Sequence, residues 1–298
     1  MLLFLAASLV LPLSAAAQDE ERGETSFPLA PWHARVVALG GAGAAIEGLE
    51  FLRLNPAAGA GQRGGHVSRR SSAVGAEDYD LALAHGGRWG TVVLHVRQRD
   101  WGEIAGDLGL DDLRATEQAG GLSYALSTAG GRVGLGVSLL RLEADYLGAR
   151  SSGWALDLGG RLVAGRGISL GVALLRASRG LAGPDGRSPL PTRARTGLAW
   201  QGEVVSRTKV VVLADAAMPL AWEAPEVSAG VELAHTVGPV TGLGRAGWHG
   251  RPSRPAVGGG HVWGAGGGIA FGALRADIGY ILGGVLGNET SLSLSLRW

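Results

Sequence analysis

The chain has 298 residues, with 27 Lys plus Arg against 26 Asp plus Glu and no cysteine. Near-neutral charge without any Lys/Arg run of five or more gives nucleic acid no electrostatic footprint, and the lack of thiols excludes thiolate metal sites, cysteine nucleophiles and disulfides. Glycine is the informative excess: 52 residues, more than double the usual share of roughly 7%, in a chain that is 46% apolar and shows no collagen triplet. Glycine weakens helix interiors by about 1 kcal/mol each but marks bends and close backbone approach in sheets, so β structure is favoured.

The first predicted element is an export signal. Leu2 to Leu13 is an apolar run, Ala15-Ala16-Ala17 supplies small residues, and Gln18-Asp19-Glu20 turns the chain polar. A cleavable signal peptide over 1–17 is expected, with the amino terminus as its only positive charge. A membrane anchor would need nearer to ~20 apolar residues.

Residues 18–64 form a preface that is neither alternating nor amphipathic. Within it, Val36-Val37-Ala38-Leu39 runs into Gly40-Gly41-Ala42-Gly43, which invites a dinucleotide-binding reading. The third glycine position is Ile46, however, and no alternation of strands and helices follows. Asn55-Pro56 initiates a turn, because proline excludes helix at the preceding residue.

From 65 to 298 the chain divides into alternating segments of about ten residues separated by turn formers. Fourteen are predicted, beginning near 65, 78, 89, 116, 132, 150, 168, 192, 206, 226, 239, 256, 272 and 287. The last is the clearest: Leu292, Leu294, Leu296 and Trp298 on one face oppose Ser291, Ser293, Ser295 and Arg297. Connections after even segments are tight, whereas the longest, Arg99 to Ala115, Arg179 to Pro191 and Pro219 to Pro225, follow odd ones. That parity, with an aromatic C-terminus, predicts an all-β fold: a transmembrane antiparallel β-barrel of about 14 strands, apolar face to lipid and polar face to the lumen. Trp89, Trp200 and Trp298 are expected at the inner edge, Tyr146, Trp154 and Trp248 at the outer one, Trp101 and Trp222 in outer loops, and Trp263 mid-strand. The competing reading, a helix over Pro255 to Leu274 with glycines at four-residue spacing, founders on eight glycines in twenty residues. As a strand, the same stretch turns a glycine face to the lumen, against which an internal segment could pack.

Charge at mid-membrane costs about 2–4 kcal/mol on the lipid face, so Asp157, Arg161, Arg193, Arg195, Glu232, Arg275 and Asp277 are expected to face the lumen. There they would line water, pair with one another, or grip the preface or a translocating solute. The seven histidines share no metal-binding spacing, and no G-x-S-x-G elbow is present. No cofactor, metal or enzymatic activity is expected; His249, placed on an outer loop near Arg251 and Arg254, is the leading candidate for any chemistry. Leu292, Leu294, Leu296 and Trp298 read as the C-terminal signal that barrel-assembly machinery would recognise.

The preface also carries a family resemblance, in Leu39-Gly40-Gly41-Ala42-Gly43-Ala44-Ala45 followed by Asn55-Pro56-Ala57-Ala58-Gly59. Later pieces agree with it in order: Leu156-Asp157-Leu158-Gly159, Leu190-Pro191 with Arg195-x-Gly197, Gly230-x-Glu232, Arg245-x-Gly247 and Asp277-x-Gly279-Tyr280. This pattern resembles the PorV/PorQ branch of the FadL-type outer-membrane barrels, with Arg53-Leu54 where that branch carries an aromatic and an extra Ala58 before Gly59. The resemblance implies a plug formed by 18–64 inside a fourteen-stranded barrel over 65–298, with Gly40, Gly41, Gly43, Asn55, Pro56 and Gly59 as its motif. It implies a role in protein secretion, including type IX secretion, or in surface attachment of exported cargo. The alternative is a FadL-type channel for passive uptake of hydrophobic small molecules, admitted laterally through a strand defect. Expected partners are outer-membrane lipid, barrel-assembly machinery, and secreted cargo or a hydrophobic solute; the expected location is the outer membrane.

Overall fold

The computed structural model describes residues 33–298 apart from 74, 104–113, 147, 185, 191, 221–224, 252–259 and 285–286. The expected signal peptide lies outside the described residues. A short helix, α1 (Ala34–Ala38), and two single-turn 3-10 segments, Leu49–Phe51 and Pro56–Gly59, precede the strands. The strands are β1 (Gly64–Ser72), β2 (Glu77–Gly87), β3 (Gly90–Glu103), β4 (Arg114–Thr128), β5 (Val133–Tyr146), β6 (Ala149–Gly165) and β7 (Ile168–Ser178). A small hairpin follows, β8 (Leu181–Gly183) and β9 (Gly186–Ser188), and then β10 (Arg193–Val205), β11 (Thr208–Pro219) and β12 (Glu226–Val237). The chain ends with β13 (Val240–Arg251), β14 (Gly260–Phe271), β15 (Leu274–Gly284) and β16 (Gly287–Arg297).

Every neighbouring pair is antiparallel, β7 pairs with β10, and β16 returns to β1 through Gly64↔Arg297 to Ser72↔Glu289. The result is a closed barrel of 14 strands, with β8 and β9 outside the ring and attached to β6 at Ser152↔Ala182. Closure matters physically because in hydrocarbon an open sheet edge would leave backbone groups without partners.

The radial distribution of side chains is the reverse of a water-soluble domain. On β16, Leu292, Leu294 and Leu296 are 53%, 46% and 46% exposed, while Ser291 and Ser293 are 0% and 6%. Arg70, Asp78, Arg97, Arg99 and Arg245 are buried on inner faces, while Leu94, Leu122, Leu139, Val172 and Leu233 are exposed on outer ones. Exposed leucines, valines and isoleucines on the outer faces of most strands suit lipid, not water. Leu294→Lys is expected to destabilise the folded barrel by about 2–4 kcal/mol in a bilayer. Urea titration of folding into vesicles checks this; a cost below about 1 kcal/mol would contradict a lipid-facing position there.

Tight turns link β2 to β3, β4 to β5, β6 to β7, β10 to β11, β12 to β13 and β14 to β15 at one end, beside both ends of the ring. By the asymmetry of such barrels this is the inner end. Three placements differ from those expected. Trp101 lies within β3, because that ladder continues past Asp100↔Thr116 through a bulge, and Arg99 stacks over its ring 4.9 Å away. Trp263 lies directly opposite Trp248 in the β13–β14 ladder, so it stands at the level of that outer tryptophan instead of the middle of its strand. His249 belongs to β13, not to a loop.

Candidate functional site

The lumen is where the polar faces converge, and residues 33–63 pack against them. Close approach is made possible by glycine on the wall. A Cβ on Gly247 would run into the Leu39 and Gly40 backbone, and one on Gly171 into the Ala44 carbonyl. The glycine face of β14 meets α1 in the same way, with Gly264 under the Val37 and Ala38 carbonyls. Around these contacts Val36, Leu39, Phe51 and Leu54 form an apolar core with Ala199 of β10 and Leu213 of β11.

Polar groups fix the register of this segment. After α1 the chain reverses through Gly40 and Gly41, with φ of 65° and 79°, a left-handed geometry that side-chain-bearing residues resist. The Asp215 carboxylate then accepts from the Gly43 and Ala44 amides, at 3.0 Å each, and from Arg195 at 2.9 Å, while Arg195 also donates to the Gly41 carbonyl. Asn55 is fully buried: its oxygen accepts from the Ala57 amide at 3.0 Å, and its nitrogen donates to Ala44 and Gly160 carbonyls at 2.7 and 3.0 Å. That bond to Ala57 caps the 3-10 turn that Pro56 opens, and Gly59 at its end lies against Leu52 and Val93.

A closed ring of alternating charge ties the segment to β12, β13 and β15. Arg35 meets Glu50 at 2.8 Å, Glu50 meets Arg275 at 2.8 Å, and Arg275 meets Asp277 at 2.7 Å. Asp277 meets Arg245 at 2.8 Å, Arg245 meets Glu232, and Glu232 returns to Arg35 at 2.7 Å. Three cations and three anions cancel, so each buried charge has two opposite neighbours. Burial alone would raise the Glu50 carboxyl, but Arg275 and Arg35 outweigh it and hold the pKa well below the ordinary 4.5. With the folded value depressed, the Glu50 contribution is complete above about pH 4.5 and fades only as pH falls towards that lower value.

The remaining charges singled out in the sequence lie elsewhere on the inner face. Arg161 pairs with Glu47 of the segment, Arg193 with Glu226 at 2.6 Å, and Asp157 accepts from the Arg176 amide. Arg35 and Glu50 of the ring, and Asp215 beside Arg195, lie outside the charges expected from the sequence, and Arg245 enters that reading only through the Arg245-x-Gly247 piece. Alternation places Arg245 on the face of Gly247, but Arg35 and Glu50 sit in a stretch without periodicity.

Towards the outer mouth the lumen changes character. Leu140, Leu142 and Ala144 of β5, Ala119 of β4 and Ala155 of β6 meet Leu181 of the β8–β9 hairpin and Leu190 beyond it, forming a buried apolar cluster. Beside it the β6–β7 ladder slips: Leu158↔Leu174 is followed by Leu156↔Ala177, so β7 carries an extra residue, and Arg176 adopts φ 59°. Behind the cluster, on the outer side, a groove of about 490 Å³ is lined by Val96, Leu122, Leu139 and Trp154 together with the polar Gln118, Arg141 and Glu143. Gly120 faces this groove, where a Cβ would meet open space, whereas Gly121 faces inward and is covered by the His95 and Leu140 side chains.

His249 bonds Ser228 at 2.7 Å and lies 4.0 Å from Glu226. Ser228 is only 3% exposed and Arg193 holds Glu226, so the trio braces the β12–β13 pair without presenting a nucleophile.

No protein-family model and no curated protein matches the chain. Solved structures do match in fold. The Pseudomonas putida toluene transporter TodX superposes with TM-score 0.60 at 12% identity, over 90% of this chain and 98% of its own. The Ralstonia pickettii toluene transporter TbuX gives 0.57 at 14% identity, over 91% and 100%, and a Pseudomonas aeruginosa FadL homologue gives 0.54 at 11%, over 89% and 98%. The chain has the FadL-type barrel fold. Within that FadL-type frame, Leu292, Leu294, Leu296 and Trp298 line the exterior of the closing strand, and the Trp298 amide donates to the Arg63 carbonyl at 3.4 Å.

Proposed function

We propose that this chain is an outer-membrane channel for passive uptake of hydrophobic small molecules, with residues 18–64 as its plug. The observation that carries this reading is the apolar cluster of Leu140, Leu142, Ala144, Leu181 and Leu190 near the outer mouth of the lumen, separate from the apolar core that seats residues 36–54 and covered by the β8–β9 hairpin. A water-filled pore gains nothing from buried leucines at its mouth; a site that takes apolar solutes out of water does. The slipped β6–β7 ladder beside the cluster is the strand irregularity through which a solute would leave sideways into lipid. The names of TodX and TbuX as toluene transporters support the same class of solute.

Saturable uptake of radiolabelled toluene by proteoliposomes tests the reading. Leu140→Asn with Leu142→Asn is expected to cut uptake about tenfold, the effect of roughly 1.4 kcal/mol lost at an apolar contact. Uptake no faster than in empty vesicles would overturn it. The secretion or cargo-attachment role implied by the PorV/PorQ resemblance rests on short motifs whose residues here seat the plug. Exported cargo that co-purifies through detergent would favour that role instead. Export and outer-membrane location follow from the same reading, and membrane fractionation with heat-shifted gel mobility checks both.

A further inference from the structure

The inner end of the barrel carries a collar of cations. Arg63 precedes β1, Arg88 sits in the β2–β3 turn, Arg132 in the β4–β5 turn, Arg166 in the β6–β7 turn, Arg207 in the β10–β11 turn, and Arg297 ends β16. All six are exposed, as is Lys209 two residues beyond Arg207. Following the ring from β16 through β1 to β11, the collar covers ten of the 14 strands. Glu203, also exposed at this end, accepts from the Arg207 amide, and Glu47 is taken by Arg161 within the lumen; the balance stays positive.

Two features separate the collar from an ordinary scatter of surface arginines. First, Arg166 and Arg207 occupy left-handed positions, with φ of 53° and 66°, where two-residue turns favour asparagine, aspartate or glycine. The side chain is held at a backbone cost that a better turn former would avoid. Second, aromatic residues alternate with the cations: Arg88 lies 4.7 Å over the Trp89 ring, and Arg297 precedes Trp298, with both tryptophans strongly exposed. Tryptophan marks the headgroup level of a barrel, so the cations beside it stand at the height of lipid phosphates.

We infer that the collar binds the anionic headgroups of phospholipids in the inner leaflet. A globular acidic partner would select a patch on one side, whereas cations spread over ten strands match an annulus of lipid. Guanidinium groups suit the task because they bind phosphate bidentately and stack on aromatic rings. The inference requires only that the barrel spans a bilayer with its tight turns inward, and it is independent of what the channel carries.

The test uses the full mature chain in nanodiscs of phosphatidylcholine alone or with about 30% phosphatidylglycerol, at low salt, read by thermal unfolding. Wild type is expected to unfold about 5 °C higher with phosphatidylglycerol, and the gain should shrink in high salt. The variant Arg88→Gln, Arg166→Asn, Arg207→Asn should lose at least half of that gain, while its transition in phosphatidylcholine alone is unchanged or raised, since asparagine suits the left-handed turns. Equal wild-type transitions in the two lipids, or a variant that keeps the full gain, would overturn the inference. So would a gain that appears only after Asp19, Glu20, Glu21 and Glu24 are neutralised, because the collar would then be serving the chain's own acidic stretch. Toluene uptake can fail with this lipid effect intact, and the converse also holds.

Discussion

Glu232→Ala is expected to destabilise the folded protein by about 3–5 kcal/mol, the usual cost of removing one partner from a buried charge network. Glu232 accepts from Arg35 at 2.8 Å and from Arg245, and both guanidinium groups lie almost wholly out of solvent. Alanine removes the carboxylate that joins the two guanidinium groups, leaving Arg35 with Glu50 alone, Arg245 with Asp277 alone, and one buried positive charge in excess. Glu232→Gln keeps the volume and one acceptor, so a smaller loss is expected, about half that of alanine. Urea unfolding of the two variants in matched bilayers measures the difference. Loss below about 1 kcal/mol for alanine would mean that lumen water already screens the ring. The pH dependence provides a second reading of the same ring. Because Glu50 is held well below the ordinary carboxylate value, wild type should keep residues 33–63 seated on the wall from pH 7 down to about pH 5 and begin to release them only in stronger acid.

Gly247→Leu is expected to displace residues 33–63 from the wall without breaking the ring of strands. The new side chain would occupy the space of the Leu39–Gly40 peptide, and backbone cannot rotate away as a flexible side chain can. Overpacking costs about 1–3 kcal/mol, and more against backbone that cannot move aside, a penalty that works directly against the roughly 5–9 kcal/mol gained by burying Val36, Leu39 and Phe51 on the wall. The β12–β13 and β13–β14 ladders do not use the Gly247 side-chain position, so the ring should still close. Planar-bilayer recording should then show ion conductance in the variant and little in wild type, while heat-shifted mobility remains normal. A variant that stays closed would show that the segment can reseat around the added side chain, and the glycine wall would lose its assigned role. Gly244, whose Cβ would meet nothing within 4 Å, serves as the control position.

Alternation made the barrel legible because period two is a local property: each outward leucine and inward serine of β16 can be read without knowing its neighbours. Connection parity added the orientation, since the length of a turn is also local. The edges of that reading failed where a non-local pairing extended a strand, as when β4 carries β3 past a bulge and takes Trp101 out of its expected loop. The inward charges could be proposed from the cost of facing lipid, but their partners could not. Arg275 and Glu50 are separated by 225 positions, and no local pattern joins them.

The closing strand shows the division most clearly. Sequence by itself determined that Leu292, Leu294, Leu296 and Trp298 share one face and Ser291, Ser293 and Ser295 the other, and that one face had to be lipid-facing for the charges elsewhere to be tolerable. Only the tertiary structure decided what the polar face does: Ser293 accepts from the Ala34 amide at 2.8 Å and bonds Ser68 of β1 at 2.9 Å, while Ser295 meets His33 at 3.2 Å. Side-chain period depends on the strand alone, whereas what the lumen holds depends on which distant segment fits between the glycines.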